Sequence, residues 1–176
     1  MNFADEISIR ILAVMSDDPE KEFYQREIAR LAGISIGATS QKLRKLSEDG
    51  LVTSRKSGRM MFYRYDLHDP VARQLKILLN VNAIHGMIRE LRDHAKRIIL
   101  FGSCAEGTNV KSSDVDLFVL AEDSKKARQI ASAHGAKLGR KVSPVVVNAN
   151  ELRQLRSRDK PLYERINKGI VLWETR

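Results

Sequence analysis

Two aspartates, Asp114 and Asp116, follow a Gly-Ser pair, Gly102-Ser103, with ten residues between the pairs. Each pair adjoins an apolar run, RIILF or VDLFVL, that has the character of a buried strand. Because side chains alternate along a strand, Asp114 and Asp116 are expected on one face, about 7 Å apart, with Val115 toward the core. Two carboxylates at that spacing repel each other unless a cation lies between them. Mg²⁺, which takes a few carboxylates together with phosphate oxygens, is the natural candidate.

The Gly-Ser turn supplies a place for a phosphate. Gly102 allows a close approach to the backbone, and Ser103 offers a hydroxyl and an N–H at the expected start of a helix. A phosphate held beside a metal on two aspartates is the outline of a nucleotidyl-transfer site. The alternative is a chance pairing of a loop and a strand that carries surface carboxylates.

The segment LFGSCAEGTNVKSSDVDLFVL resembles the G-S-x-A-x-G-x(n)-S-D-x-D-L motif of the polymerase β-like nucleotidyltransferase superfamily, especially its minimal members. The likeness continues through a helix, a strand and a closing helix and strand, and covers about residues 96–175. It implies a small mixed sheet, an NTP as ligand or substrate, and Mg²⁺ as cofactor. It also implies residue roles: Asp114 and Asp116 as catalytic residues and metal ligands, and Gly102, Ser103 and Ser113 as nucleotide-binding residues.

One position departs from the superfamily pattern. Active members usually carry a third carboxylate on the strand after the helix, where it helps hold the metal and activates the attacking hydroxyl. In VSPVVV that position falls on Ser143, and a serine is a poor metal ligand and no base at neutral pH. Glu106 approaches the metal or is a solvated loop acid, the second being favoured. Pro144 indicates an edge position or the beginning of the strand.

The first third of the chain predicts three helices and a hairpin. Gly33 is placed to end the second helix and Ser35 to cap the third, whose Ile36, Leu43 and Leu46 are expected to face inward. Two β-prone runs then flank KSG, as in a hairpin. The segment REIARLAGISIGATSQKLRKLSEDGLV resembles winged helix-turn-helix domains of the ArsR/MarR-like kind, over roughly residues 4–67.

In such a domain the third helix lies in the major groove of double-stranded DNA. Gln41 is the candidate for a base edge. The candidates for phosphate contacts on this helix are Thr39, Ser40, Arg44 and Lys45. Those for the backbone or minor groove, at the hairpin tip, are Arg55, Lys56 and Arg59. A winged helix that contacts only protein is the alternative.

Between the two regions, residues 69–95 carry a long apolar stripe typical of a packing helix. We therefore predict a winged helix-turn-helix domain over 1–68, a linking or dimerisation helix over 69–95, and a nucleotidyltransferase-like domain over 96–176. The fold class is α+β. Since winged-helix regulators commonly pair through such helices, a homodimer is expected.

Composition is consistent with both domains. Residues 1–68 hold 11 Lys and Arg against 10 Asp and Glu, whereas residues 69–176 hold 20 against 12, so the positive charge lies mainly in the second part. A basic surface favours phosphates and nucleic acid. No apolar run approaches a membrane span, and with no signal peptide and a single cysteine, Cys104, a cytoplasmic location is expected.

Two functions follow from these features. The first is a DNA-binding transcriptional regulator whose nucleotidyltransferase-like domain binds Mg-nucleotide with weak or absent catalysis, which the serine at position 143 favours. The second is an active nucleotidyltransferase, regulated by its winged helix, that moves an NMP from an NTP to a small molecule, protein or RNA. A lesser alternative is an antitoxin-like module that binds a partner protein.

Overall fold

The computed structural model describes residues 5–175, so the ends of the predicted domains at residues 1–4 and 176 lie outside it. The chain divides into two compact units, Met1–Lys76 and Ile77–Arg176. In the described part of the chain, no helix is both long and apolar enough to cross a membrane.

The first unit contains the predicted three helices and hairpin. Its elements are α1 (Glu6–Asp17), β1 (Phe23–Tyr24), α2 (Gln25–Ala32), α3 (Ile36–Glu48), β2 (Val52–Ser57) and β3 (Met60–Tyr65). Gly33 ends α2 in the left-handed conformation with φ 63°, which costs a residue without Cβ little. The hydroxyl of Ser35 then caps α3 by accepting the N–H of Ala38. These two local signals were readable in the sequence, and they set the short turn between α2 and α3.

An antiparallel sheet of order β1-β3-β2 completes the unit. Strands β2 and β3 are joined by the two residues Gly58 and Arg59, and Gly58 has φ 59°. A positive φ at the first turn position, followed by an ordinary one, is the pattern of the type II′ hairpin turn. The two-residue strand β1 was not predicted, because its pairing partner on β3 is about 40 residues distant along the chain.

Most of the predicted inward face of the first unit is confirmed, but Ile36 is not part of it. Leu43 and Leu46 are buried, whereas 51% of the Ile36 surface is exposed. Ile36 is the first residue of α3, and side chains tilt toward the N-terminus of their helix. Its side chain therefore projects past the end of the helix instead of packing beneath it.

Helix α4 (Pro70–Ala83) contains the boundary between the units, and the second unit begins within this helix, at Ile77. The elements of the second unit are α5 (His85–Leu91), β4 (Ala95–Phe101), α6 (Ser103–Glu106), β5 (Val115–Ala121), α7 (Ser124–Leu138), β6 (Val142–Val147), α8 (Ala149–Arg158), α9 (Lys160–Asn167) and β7 (Ile170–Glu174). The apolar stripe of residues 69–95 is thus divided between two helices, α4 and α5. Met87 and Leu91 of α5 are fully buried in the core of the second unit, and the dimerising role of this stretch stays a prediction.

The second sheet has the order β6-β5-β4-β7 and is mixed. Strands β5 and β6 are parallel, and the other two pairings are antiparallel. Pro144 lies in β6, which is an edge strand, where a residue without an N–H costs no ladder hydrogen bond on the free side. The mixed sheet with surrounding helices confirms the predicted α+β class.

The sheet has a separate apolar cluster on each face, because successive side chains of a strand point in opposite directions. Val115, Leu117 and Val119 of β5 pack with residues of α5 and α7. Phe118 packs in the other cluster, with Ile166 of α9 and side chains of α8. Asp116 shares the parity of Phe118, so its carboxylate lies on the α8/α9 face of the sheet.

Gly169, between α9 and β7, tests how tightly this unit is packed. A Cβ at Gly169 would run into the carbonyl oxygen of Leu100 and the side chain of Ile99. We expect Gly169→Ala to lower the free energy of unfolding by about 1–3 kcal/mol, measured by urea denaturation, since overpacking against backbone is not easily relieved. Gly86→Ala is the control within the same unit, because its Cβ would meet only His134 at an ordinary 3.7 Å. Equal stability of the two variants would contradict the expectation.

Candidate functional site

The two aspartates lie where β5 begins. Asp116 is the second residue of the strand, and its register partners are Phe101 at the end of β4 and Ser143 on β6. Asp114 immediately precedes the strand, and Val115 between them is buried in the core. Both carboxylates remain partly exposed on the same side of β5. The alternation expected from D-x-D is therefore present.

Gly102 lies directly against the carboxylate of Asp116. The turn after β4 gives Gly102 a φ of 68° and a ψ of −156°, a conformation that residues with a Cβ rarely adopt. A Cβ built on Gly102 would overlap Oδ2 of Asp116. The glycine is required for two reasons, the backbone angle and the close approach of the aspartate.

Asp114 is held by two donors from the start of β6. Its Oδ2 accepts a hydrogen bond from Nζ of Lys141 at 2.7 Å and one from Oγ of Ser143 at 2.9 Å. These two hydrogen bonds, that of Lys141 first, hold the pKa of Asp114 below its ordinary value. The same ion pair raises the pKa of Lys141. Asp114 therefore stays ionised, and Lys141 stays protonated.

Asp116 has a different environment. Burial raises its pKa above the ordinary value, the nearby charge of Asp114 adds to that rise, and the positive charge of Arg165 opposes it. Arg165 of α9 also lies over the ring of Phe101, with its Cζ 5.8 Å from the ring centroid. Two cations therefore act on the pair of aspartates: Lys141, just before β6, and Arg165 of α9.

The side chains around Asp114 and Asp116 show whether the site could hold the predicted Mg²⁺. Among residues 5–175, no group of three or more His, Cys, Asp or Glu side chains converges in a way that would hold a metal ion. The two carboxylates are the only acidic ligands this site offers within the described chain, and one of them is already bonded to Lys141 and Ser143. As arranged, the residues do not fit a resident Mg²⁺, which requires oxygen ligands free to coordinate it.

The two serines predicted to bind nucleotide lie in different settings. Ser103 begins the four-residue helix α6 and is partly exposed. Ser113 exchanges hydrogen bonds with Val110: its Oγ accepts the N–H of Val110 at 2.9 Å, and its own N–H donates to the carbonyl of Val110. Arg140 donates to the carbonyl oxygen of Ser113. Ser113 therefore shapes the loop that delivers Asp114, and its contact with a nucleotide stays a prediction.

Sequence reasoning missed Lys141. A signal was present, because Lys141 directly precedes a strand and is two residues from Ser143, the spacing at which side chains of an extended chain face the same side. What the sequence did not supply was the pairing of that strand with β5 in the register Asp116 to Ser143.

On the first unit, most of the residues predicted to contact DNA are exposed. Seven are exposed: Ser40, Gln41, Arg44, Lys45, Arg55, Lys56 and Arg59. The prediction that Thr39 contacts DNA is wrong, because Thr39 has no exposed surface and its hydroxyl donates to the carbonyl oxygen of Ser35. It packs under α3 and does not lie on the outward face.

Arg55 is exposed but already paired. Its Nε and Nη2 donate to the two carboxylate oxygens of Glu22 at 2.9 and 2.7 Å, and its Cζ lies 4.9 Å from the ring centroid of Phe62. The bond to Glu22 raises the pKa of Arg55. An open groove of about 720 Å³ runs between α3 and the hairpin, with Gln41 and Arg44 on one wall and Ser54 on the other.

Comparison with protein families gives a match for each unit. The nucleotidyltransferase domain family matches residues 84–167, and the winged helix-turn-helix DNA-binding family matches residues 5–53. The chain joins a winged helix-turn-helix domain to a nucleotidyltransferase domain. Both resemblances read from the sequence are confirmed, and members of the nucleotidyltransferase family generally use an NTP and Mg²⁺.

Two solved structures are similar to parts of the chain. One is described as a predicted DNA-binding transcriptional regulator from E. coli, with 24% identity over 45% of this chain and 80% of that one, at a TM-score of 0.40. The other is described as a toxin-antitoxin with AMP-PNP, with 32% identity over 55% of this chain and 75% of that one, at a TM-score of 0.41. No curated protein matches the chain.

Removing the amine from Lys141 tests the electrostatics of the site. We expect Lys141→Met to raise the pKa of Asp114 toward its ordinary value, because the largest cause of the lowered pKa is lost. Titration of the carboxyl ¹³C resonance of Asp114 by NMR measures the change. In the unmodified protein, ionised Asp114 stabilises the fold above its unfolded-state pKa. This stabilisation is lost as pH falls through the lower folded-state pKa. An Asp114 pKa that is the same in both proteins would contradict the ion pair.

A second expectation concerns the turn. Gly102→Ala should displace the Asp116 carboxylate and force an unfavourable φ, and should lower the free energy of unfolding by about 1–3 kcal/mol in urea denaturation. Gly139→Ala is the matched control. It also has a positive φ, of 62°, but open space around its Cβ, so the backbone cost alone applies there. If both variants lost the same stability, the contact with Asp116 would have no energetic role.

Proposed function

We propose that this protein is a DNA-binding transcriptional regulator whose nucleotidyltransferase domain binds a nucleoside triphosphate and has weak or no nucleotidyl-transfer activity. The observation that carries the proposal is the partner of Asp116 on β6. Where active relatives usually carry a third carboxylate, this chain has Ser143, and Ser143 and Lys141 both bind Asp114.

The consequence for catalysis lies in proton transfer. A hydroxyl that attacks a phosphate must lose its proton, usually to a base positioned within hydrogen-bond reach. A serine hydroxyl does not take up a proton at neutral pH, and Asp114 is stabilised as an anion by two donors, which makes it a weaker base. Asp116 is the remaining candidate base, because its pKa is raised. A single half-buried carboxylate supports slow transfer at most.

The site has groups that could bind a nucleotide, although it lacks the third carboxylate that would help transfer an NMP. Gly102 lets the backbone lie against the Asp116 carboxylate, and Ser103 follows it, partly exposed, at the start of α6. Lys141 and Arg165 supply positive charge on either side of the aspartates. Cationic side chains flanking a glycine turn favour a polyphosphate ligand.

The DNA-binding half rests on the exposed face of α3 and on the groove beside it. Ser40, Gln41, Arg44 and Lys45 present polar and cationic groups on consecutive turns of the helix, as a major-groove reading helix requires. The outer end of the hairpin adds Lys56 and Arg59. We also propose that the protein acts as a homodimer in the cytoplasm.

The active-transferase alternative is favoured by one observation, the intact contact between Gly102 and Asp116. The protein would then move an NMP from an NTP to a small molecule, protein or RNA. Incubation with Mg²⁺, labelled ATP or CTP, and the protein itself or total RNA as acceptor separates the two functions. We expect no label transfer above background. Transfer that disappears in Asp116→Ala would overturn the proposal and establish the alternative.

Nucleotide binding is tested by titrating the full chain with a fluorescent ATP analogue. We expect saturable binding that is weakened roughly tenfold in Arg165→Ala, because a charged hydrogen-bond donor to phosphate is worth about 1.5–3 kcal/mol. Arg89→Ala is the control of equal charge: Arg89 is exposed on α5, which packs against the opposite face of the sheet. Absence of saturable binding in the unmodified protein would refute the nucleotide half of the proposal.

DNA binding is tested by fluorescence anisotropy with a labelled duplex of mixed sequence at several salt concentrations. We expect Arg44→Ala/Lys45→Ala to weaken binding and to reduce the slope of log K against log salt by about 2, one unit for each lost phosphate contact. Lys42→Ala is the control on the same helix, since Lys42 binds Asp5 at 2.8 Å and is partly buried. No binding even at low salt would favour a winged helix that contacts protein.

A further inference from the structure

We infer that the ammonium group of Lys141 takes the place of the divalent metal at Asp114 and Asp116, so that this domain excludes the metal and recognises the phosphates of a metal-free nucleotide. The inference about nucleotide rests on the proposed function. The inference about the metal does not, because it can be measured without nucleotide.

Strand pairing brings Lys141 to the site. Strands β5 and β6 are parallel, with Val115 opposite Val142 and Asp116 opposite Ser143. The N–H of Val115 donates to the carbonyl of Lys141 at 2.9 Å, which fixes the Lys141 backbone beside Asp114. A lysine at this position therefore reaches Asp114 because of the register, and not through a chance rotamer of a distant side chain.

Positive side chains already offset the negative charge of the site. Asp114 and Asp116 carry two negative charges, and Lys141 and Arg165 carry two positive charges, to which Arg140 adds a third near Asp114. Carboxylate clusters attract divalent cations because of their unbalanced negative charge, and that imbalance is small here. A metal on Asp114 would also meet the positive charge of Lys141, which repels it.

The carboxylate of Asp114 would have to serve both Lys141 and a metal ion. Oδ2 of Asp114 accepts both Lys141 and Ser143, so a metal ion on that oxygen must displace a donor. Lys141 is mostly exposed at its amine end, with a side-chain exposure of 74%, so its removal leaves no cavity. Substitution at this position therefore changes the charge of the site with little effect on the fold.

A lysine in this position gives the nucleotide a different recognition chemistry. An ammonium group donates up to three hydrogen bonds, and only one of them is needed by Asp114. The remaining N–H groups and the guanidinium of Arg165 are available to phosphate oxygens approaching Gly102. The ligand class that fits is a free nucleoside triphosphate, and not its Mg²⁺ complex.

The test uses Mn²⁺ alone as the probe for the metal. Electron paramagnetic resonance of free Mn²⁺ reports binding to the full chain without nucleotide. We expect weak binding by the unmodified protein and binding at least roughly tenfold tighter by Lys141→Met, a gain lost again in Lys141→Met/Asp116→Asn. Lys141→Arg should bind as weakly as the unmodified protein. Lys125→Met, which removes an equal charge from an exposed position on α7, is the control and should show no gain.

Two results would overturn the inference about the metal. One is Mn²⁺ binding by the unmodified protein that is as tight as binding by Lys141→Met. The other is an equal gain in Lys125→Met, which would reduce the effect to overall charge. Circular dichroism of each variant, compared with that of the unmodified protein, confirms that the fold is kept.

The nucleotide arm repeats the fluorescent ATP titration with EDTA and with Mg²⁺. We expect affinities in the two conditions that agree within about twofold for the unmodified protein, and a clear preference for Mg²⁺ in Lys141→Met. Nucleotide binding that requires Mg²⁺ in the unmodified protein would overturn the inference and leave the proposed function standing. Binding in neither condition would instead refute the proposed nucleotide function and this arm, while the Mn²⁺ result would still decide the inference about the metal.

Discussion

The parallel pairing of β5 with β6 is the constraint on which the chemistry of the second unit depends. It places Ser143 opposite Asp116 and brings Lys141 to Asp114. A slip of the register by one residue would turn every side chain of β6 to the other face, and Ser143 would leave the side of the sheet on which Asp116 lies. The register of β6 against β5 therefore decides which groups face the two carboxylates.

The antiparallel pairing of β4 with β5 sets the other side of the site. Phe101 pairs with Asp116, and the turn that follows Phe101 brings the backbone of Gly102 against the Asp116 carboxylate. Asp116 therefore loses part of its hydration, and its pKa rises. Asp114, one residue before the strand, keeps more solvent and two hydrogen-bond donors, and its pKa falls. Two aspartates separated by a single residue thus have opposite pKa shifts because the strand begins between them.

In the first unit a similar division exists between residues that hold the fold and residues that face outward. The cap at Ser35 and the buried residues Leu43 and Leu46 orient α3, and its other side remains available to a partner. Thr39 belongs to the first group because its hydroxyl bonds to the backbone of the preceding turn. The ion pair of Arg55 with Glu22 ties the hairpin to the residue before β1, so this arginine braces the hairpin that presents Lys56 and Arg59.

The sequence by itself determined both domain types, the Gly-Ser turn, the side-by-side aspartates and the serine at position 143, because each depends on local spacing or strand parity. It did not determine the exposure of Ile36, the burial of Thr39, the short strand β1 or the ion pair between Lys141 and Asp114. Helix periodicity does not say which side of a helix end is covered, and strand parity does not say which strand is its neighbour. Those outcomes were decided by tertiary packing, which brings residue 141 to residue 114 through a register that no local signal encodes.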